Sequence, residues 1–492
     1  MTYQLYNFRQ QKQLTLDLSA RQKNFFLKGF WFFCAFSFYV ILTADADLIT
    51  ILGALIIAVT ALYPSYLWCS DRARGLPLFP LLSISYLFTH GFALVSDNRQ
   101  VQEYTPSQHF VSALIVASFL VVATFTWTFY VRQATAQPVA IKEFSATQVF
   151  PFFITALILR IIYQIGMNSG YLWLIIPGSV ISLLRAMTGS IGFLAVITIS
   201  YLLGKKLLNK MQAVFFLILM AILLFVTGVS LYLNLVGSYL LLAMIGWMLG
   251  SNKIPWRLLV VSTLIIMLLN IGKGETRHYY WTIRDSSIHP TEYIQVYKDW
   301  FDNSFESIQQ PKNKAENQNQ NSLIHRSSVV HMLLKVQTET GIEKPYLWGE
   351  TYSLIPQLLI PRFINPNKIR GGEANHILSV HYGLQTYEQT QTTSIGWGIL
   401  QEAYANFGWL GCWGLGIFIG SLYGWITRWT MNVSCLSFRF LVALIFMILT
   451  LRSEVTMGTF ISVIFQSLVI LTAIRMFFMK TVSTNNQCQN LL

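Results

Sequence analysis

The stretch 211–250, MQAVFFLILMAILLFVTGVSLYLNLVGSYLLLAMIGWMLG, runs forty residues without one charged side chain. A helix that packs on a soluble core is apolar along one stripe, whereas this one is apolar all round. Only the region near Gly228 and Ser230 interrupts it. Each half is close to the ~20 residues that a helix needs to cross a hydrocarbon layer ~30 Å thick. Two membrane spans are therefore expected, near 211–228 and 230–250.

Outward from this pair, similar runs lie near 27–44, 48–69, 76–96, 108–131, 147–166, 187–204, 256–272, 408–427, 438–451 and 457–478, which makes twelve expected spans. The segment 171–186 is apolar but contains Pro177-Gly178 and Arg185, and reads as a re-entrant or interfacial helix on the outer side. The composition agrees: of 492 residues 54% are hydrophobic and only 11% charged, against about 25% charged in soluble domains. That excludes a soluble globular, disordered or disulfide-scaffold protein. The fold class is an all-α polytopic membrane protein.

The net charge of +13 suggests a nucleic-acid partner until the charges are placed. Basic residues gather in alternate connections, from Arg9, Lys12, Arg21, Lys23 and Lys28 to Arg475 and Lys480. That side carries 18 basic and three acidic residues. By the positive-inside rule it is cytoplasmic, with both termini. The chain lacks the pattern of a cleavable signal, since its first apolar run follows a polar stretch of 26 residues. The charge thus records orientation and implies no nucleic acid.

Residues 273–394 contain no spanning run and are expected outside the cell membrane, as a loop with 12 basic and 12 acidic residues. The expected division is 1–272, an N-terminal bundle of about nine spans, then this loop, a C-terminal bundle at 395–480 and a tail at 481–492. Within the loop, QQPKNKAENQNQNS (309–322) is a low-complexity tract expected to be disordered. SLIHRSSVVHMLLKVQTETG (322–341) reads as an amphipathic helix ended by Gly341, with His325 and Arg326 at its start.

Charges inside or beside a bilayer are expensive and invite a functional reading. Arg160, Arg185, Glu402, Arg452 and Glu454 fall on the outer half or rim, and Arg277, Arg362 and Lys368 in the loop. Structural ion pairing is the competing account of the rim residues, and plain solvation that of the loop arginines. Trp281, Trp300, Trp348 and Trp397 are equally well read as interfacial anchors. No HExxH motif, metal-spaced histidine pair, P-loop or GxSxG elbow occurs, and Cys34, Cys69, Cys412, Cys435 and Cys488 form no framework. No cofactor and no metal are expected. Asp45-Ala46-Asp47 lies in a tight turn, a poor place for a nucleotide-sugar metal site.

HRSSVVHMLLKV (325–336), PYLWGETYSLIPQLLIPRFINPNK (345–368), GILQEAYANFGWLGCWGLGIFIG (398–420) and LRSE (451–454) together resemble the bacterial oligosaccharide repeat-unit polymerases, the O-antigen polymerases of the Wzy type, which are related to O-antigen ligases. The matching positions are Gly349, Thr351, Tyr352, Pro361, Arg362, Lys368, Glu402, Tyr404, Asn406, Phe407, Gly408 and Gly411. The likeness covers mainly 325–454. It departs at TGVSLYLNLVGSYLL (227–241), where many members carry a Gly-x-Arg-Gly step and this chain has no arginine.

The resemblance implies a C-type integral-membrane glycosyltransferase fold in the bacterial cytoplasmic membrane. It implies metal-independent polymerisation of undecaprenyl-diphosphate-linked oligosaccharides on the outer face. Other implied partners are membrane lipids, a chain-length regulator and a flippase of the same pathway. Such a reaction needs a base and a diphosphate clamp. Glu402 or His325 is the expected base, with Arg326 at the catalytic site. Arg277, Arg362, Lys368, Arg452, Arg160 and Arg185 are the expected phosphate ligands, and Tyr352, Tyr404 and Trp348 the expected glycan platform. Two alternatives stay open: transfer of a finished glycan by a ligase, and transport of a lipid-linked oligosaccharide.

Overall fold

The computed structural model describes residues 20–132, 140–284, 287–309, 328–360, 364–365, 367–450, 452 and 454–483. Among them the chain is almost wholly helical, and the only sheet pairs two strands, β1 (Ala140–Phe144) and β2 (Met479–Ser483). His325, Arg326, Arg362 and the tract 309–322 beyond Gln309 lie outside the described residues.

The longer helices, in chain order, are α1 (Ala20–Leu42), α2 (Leu48–Cys69), α3 (Leu78–Tyr86), α4 (Pro106–Val131), α5 (Ala146–Asn168), α6 (Gly178–Gly204), α7 (Lys210–Val229), α8 (Leu233–Ser251), α9 (Trp256–Arg277), α10 (Tyr293–Gln309), α11 (Val330–Glu339), α12 (Ile399–Trp429), α13 (Phe438–Leu449) and α14 (Met457–Phe478). Ten helices among the described residues are long and apolar enough to cross a membrane. Two of the twelve runs, now Leu78–Leu94 and Phe438–Leu449, are apolar but shorter. The first is also interrupted by a π-helical turn at Leu87–Gly91.

Local sequence explains several ends. Asp47 accepts from the Ile49 amide at 2.9 Å and caps α2, which gives the Asp45/Asp47 turn a structural role. Thr105 and Gln108 form a reciprocal capping box at α4, as do Asn209 and Gln212 at α7. The segment 171–186 divides: Tyr171–Ile175 is one turn, and from Gly178 the chain already belongs to α6.

The chain forms two compact units, one of residues 1–141, 315–468 and 482–492, the other of 142–314 and 469–481. This division falls elsewhere than at the expected loop borders near 272 and 394.

In the first unit α12 lies on α4 through Gly416, Gly420 and Gly424. A Cβ at these positions would stand 3.0 Å from Phe119 O, 2.2 Å from Ala123 O and 3.1 Å from Trp127 O. The two rows advance together, so the helices run in the same direction, backbone against backbone, as small-residue ladders permit in membranes.

The second unit repeats the device. Gly246 and Gly250 of α8 approach Ile197 O and Tyr201 O of α6, each 2.3 Å from a Cβ placed on the glycine. Part of the expected polar loop is also helical here. α9 continues to Arg277 and as a π-helical turn to Ile283, and α10 folds back along it. Trp300 Nε1 donates to Leu269 O at 2.7 Å, Asn303 Nδ2 to Thr276 Oγ1 at 3.0 Å, and Tyr280 Oη to Asp299 Oδ2 at 2.6 Å. Val229, Leu231, Leu233, Val296 and Trp300 close the core between them.

Candidate functional site

In the first unit, α12 begins at Ile399, nine residues before the expected span at 408, and its helical backbone breaks at Gly408 (φ 59°, ψ −140°). No residue with a Cβ takes that conformation without strain. The break orphans carbonyls that a continuous helix would use. The segment before the short helix Glu350–Ser353 takes them up: Leu347 N donates to Ala405 O at 3.1 Å and Trp348 N to Asn406 O at 3.2 Å. Asn406 completes the join. Its Oδ1 accepts from Gly349 N at 2.9 Å, and its Nδ2 donates to Thr351 Oγ1 at 2.9 Å and Glu402 O at 2.8 Å. Thus the two motif stretches around 349–352 and 402–411, fifty residues apart in sequence, are docked on each other. Gly411 is needed for the return, since a Cβ there would stand 2.2 Å from Ala403 O.

Glu402 is fully buried. Its Oε2 accepts from Met457 N at 2.5 Å, which ties the first turn of α12 to the first residue of α14. The Thr351 hydroxyl lies beside the carboxyl group. That hydroxyl already accepts from Asn406, so its own proton is the one available to Oε1, which no donor otherwise reaches at full hydrogen-bond geometry. The neighbouring Gln401 is equally buried, and its Nε2 donates to Val329 O at 2.9 Å and to His90 Nε2 at 3.0 Å. Sequence reasoning missed both: His90 sits in apolar text with no motif, and Gln401 lies inside the 398–420 stretch without being one of its matching positions. His331, on α11, is largely buried, and desolvation pushes its imidazole down to about 4.

Beside this joint opens a cavity of about 500 Å³. Its head is aromatic, formed by Tyr346, Trp348, Tyr352 and Phe407. Its body follows one face of α12, with Leu410, Gly411, Gly414, Leu415 and Phe418, and is closed by Met457 and Ile461 of α14. Tyr352 stacks on Phe407 with centroids 6.1 Å apart and rings 16° from parallel. Burial first, then nearness to Glu402 and Cys412, holds the Tyr352 phenol above its usual pKa. Trp348 has φ 47° and is 74% exposed. A bulky residue in the left-handed region costs roughly 1–2 kcal/mol, so the fold sustains strain to present an indole to the outside.

None of the other expected site residues that the structure describes lines this cavity. Tyr404 is buried and does not line the cavity. Lys368 donates from Nζ to Leu358 O at 2.5 Å, and Arg452 is exposed. Arg160, Arg185 and Arg277 belong to the second unit. There Arg277 donates from Nε and Nη2 to Leu231 O at 3.1 and 2.7 Å and stacks 4.5 Å from the Trp281 ring. Trp300 and Trp397 are core residues, so the four tryptophans divide between packing and presentation. No group of three or more potential metal ligands occurs among the described residues.

Fold and composition define an all-α protein with many helices able to span a membrane. No family model, curated protein or solved structure matches the chain.

Proposed function

We propose that this chain is a membrane-embedded glycosyltransferase that polymerises oligosaccharide units carried on a polyprenyl diphosphate, at the outer face of the bacterial cytoplasmic membrane. The observation that carries the reading is the two-part cavity. Aromatic faces such as Trp348 and Tyr352 suit the C–H faces of sugar rings, and the glycine-flattened groove below them suits an isoprenoid tail.

In the transfer, an acceptor hydroxyl oxygen bonds to the anomeric carbon of the donor. The anomeric C–O bond breaks, and its electron pair leaves with the lipid diphosphate. The hydroxyl proton passes to a base, for which His325 is the candidate, with Arg326 beside it for the leaving charge. Glu402, the other base suggested by sequence, is engaged in holding α14, and acts here as a positioning residue.

Purified chain in detergent, given lipid-linked repeat unit without nucleotide or ion gradient, is expected to form longer glycans, which a transporter does not. Trp348→Ala and Gly414→Leu should each slow elongation by about tenfold, a loss of roughly 1.4 kcal/mol in transition-state binding. Absence of elongation by the unaltered protein would overturn the reading.

A further inference from the structure

The stretch GGEANH (371–376) runs into a nine-residue helix, Glu373–His381, in the first unit. Its start is held in place. Gly371 O accepts from Thr459 Oγ1 of α14 at 2.9 Å, and Arg370 O accepts from Glu373 N at 3.2 Å. Glu373 and His376 are three residues apart and so share a face of the helix. His376 Nδ1 lies 3.6 Å from Glu373 Oε2.

His376 is only 6% exposed. Neither of its ring nitrogens makes a full hydrogen bond among the described residues. Buried polar groups are nearly always paired, and an orphan calls for a chemical explanation. A ring kept for packing alone would avoid that cost.

The other edge of the imidazole faces Gly372. A Cβ placed on this glycine would stand 4.0 Å from His376 Nε2 and 4.0 Å from Ser394 Oγ. A nitrogen base and a hydroxyl thus look onto one spot that no side chain fills. Ser394 is exposed, in the extended stretch 393–398. That stretch is pinned to the same helix, since Trp397 Nε1 donates to Ser379 Oγ at 3.0 Å. Ser379 follows His376 by three residues, so the pin lies about one turn from the imidazole. The Ile395 amide, next after Ser394, donates to nothing among the described residues. The amide that follows a nucleophilic serine is a ready oxyanion donor. Hydrogen bonds between base and nucleophile are often long in a free enzyme and tighten on binding.

We infer that Glu373, His376 and Ser394 form a nucleophilic triad that takes acyl groups from carboxylic esters. Ser394 Oγ bonds to the ester carbonyl carbon and gives its proton to His376 Nε2. The bond to the alcohol oxygen then breaks, and the alcohol leaves with that proton. Water attacks the acyl-serine by the same route and frees the acid. Glu373 holds the Nδ1 proton towards itself, which leaves the Nε2 lone pair for the serine. Such triads are defined by roles and geometry and occur in several chain orders. The inference is independent of the cavity beside Gly408 and of the reaction proposed there.

The test uses full-length protein in maltoside micelles. p-Nitrophenyl acetate reads ester cleavage, and a biotinylated fluorophosphonate followed by peptide mass spectrometry locates the nucleophile. The unaltered chain should release p-nitrophenolate and carry the label on Ser394. Ser394→Ala should abolish both signals, and His376→Gln should slow both by about a hundredfold. Glu373→Gln and Gly372→Ala should each slow them by about tenfold. Gly372 has φ −96° and ψ 12°, which alanine adopts, and its new methyl group meets its neighbours at ordinary contact distance. That variant therefore fills the spot and keeps the fold, which an unchanged unfolding midpoint would verify. Absence of ester cleavage, a label on another residue, or undiminished rates in His376→Gln or Gly372→Ala overturns the inference.

Discussion

Glu402 and Arg160 are both buried ionisable side chains in candidate spans, and the protein treats them in opposite ways. Glu402 is answered from its own unit, by the Met457 amide on one oxygen and by the Thr351 hydroxyl beside the other. Arg160 has only a ladder of neutral amide, phenol and carbonyl groups. A buried group that the fold satisfies is a fastener, whereas one that the fold solvates without neutralising carries a standing cost.

The largest expected effect is at the fastener. Glu402→Ala leaves the Met457 amide buried without an acceptor, and should cost about 3 kcal/mol of stability, read as a lowered unfolding midpoint in detergent. Glu402→Gln keeps an acceptor and should cost about 1 kcal/mol. Equal losses in the two variants would show that the carboxyl group does more than accept that bond.

His331 extends the comparison to a group that answers burial by staying neutral. Its folded pKa is about 4, against an ordinary 6.5 when unfolded. As pH falls from 6.5 towards 4, the unfolded chain takes the proton first, so this contribution to stability is present above 6.5 and lost across that window. His331→Gln should flatten the slope of midpoint against pH over the same range. An unchanged slope would place the titration elsewhere.

The smallest effect is expected at Arg160. In detergent micelles Arg160→Met should change stability by about 1 kcal/mol or less, or raise it, since an uncompensated charge is replaced by an apolar chain. A loss as large as that of Glu402→Ala would erase the contrast and make Arg160 a fastener too.

Much of the bundle was legible, because a run such as 48–69 needs no tertiary knowledge to be read as a helix. The rest is decided by packing. Residues 273–309 look like solvent-exposed loop by composition, yet α10 buries Tyr293, Val296, Trp300 and Ser304 along α9. Those positions have helical spacing, and that was the missed signal. Glu402 and Asn406 give the 399–407 turns a polar text, and only the partners at 347–351 show why polar residues belong in that helix. For the site, sequence singled out Trp348, Tyr352 and Phe407 individually. It could not show that they share a wall, since the Gly408 break that brings them together is a backbone property. Arg160 was visible as a charge in an apolar run. That no carboxylate follows for more than a hundred residues was equally visible, but became informative only with the neutral partners of Arg160 in view.

The break at Gly408 makes part of the 340s connection, in effect, a spliced-in piece of α12. The amides of Leu347 and Trp348 occupy helix carbonyls, so their exchange with solvent deuterium is timed by the opening of a transmembrane element rather than by their place in a surface connection. A label read there is a gauge of how the two halves of that helix move apart.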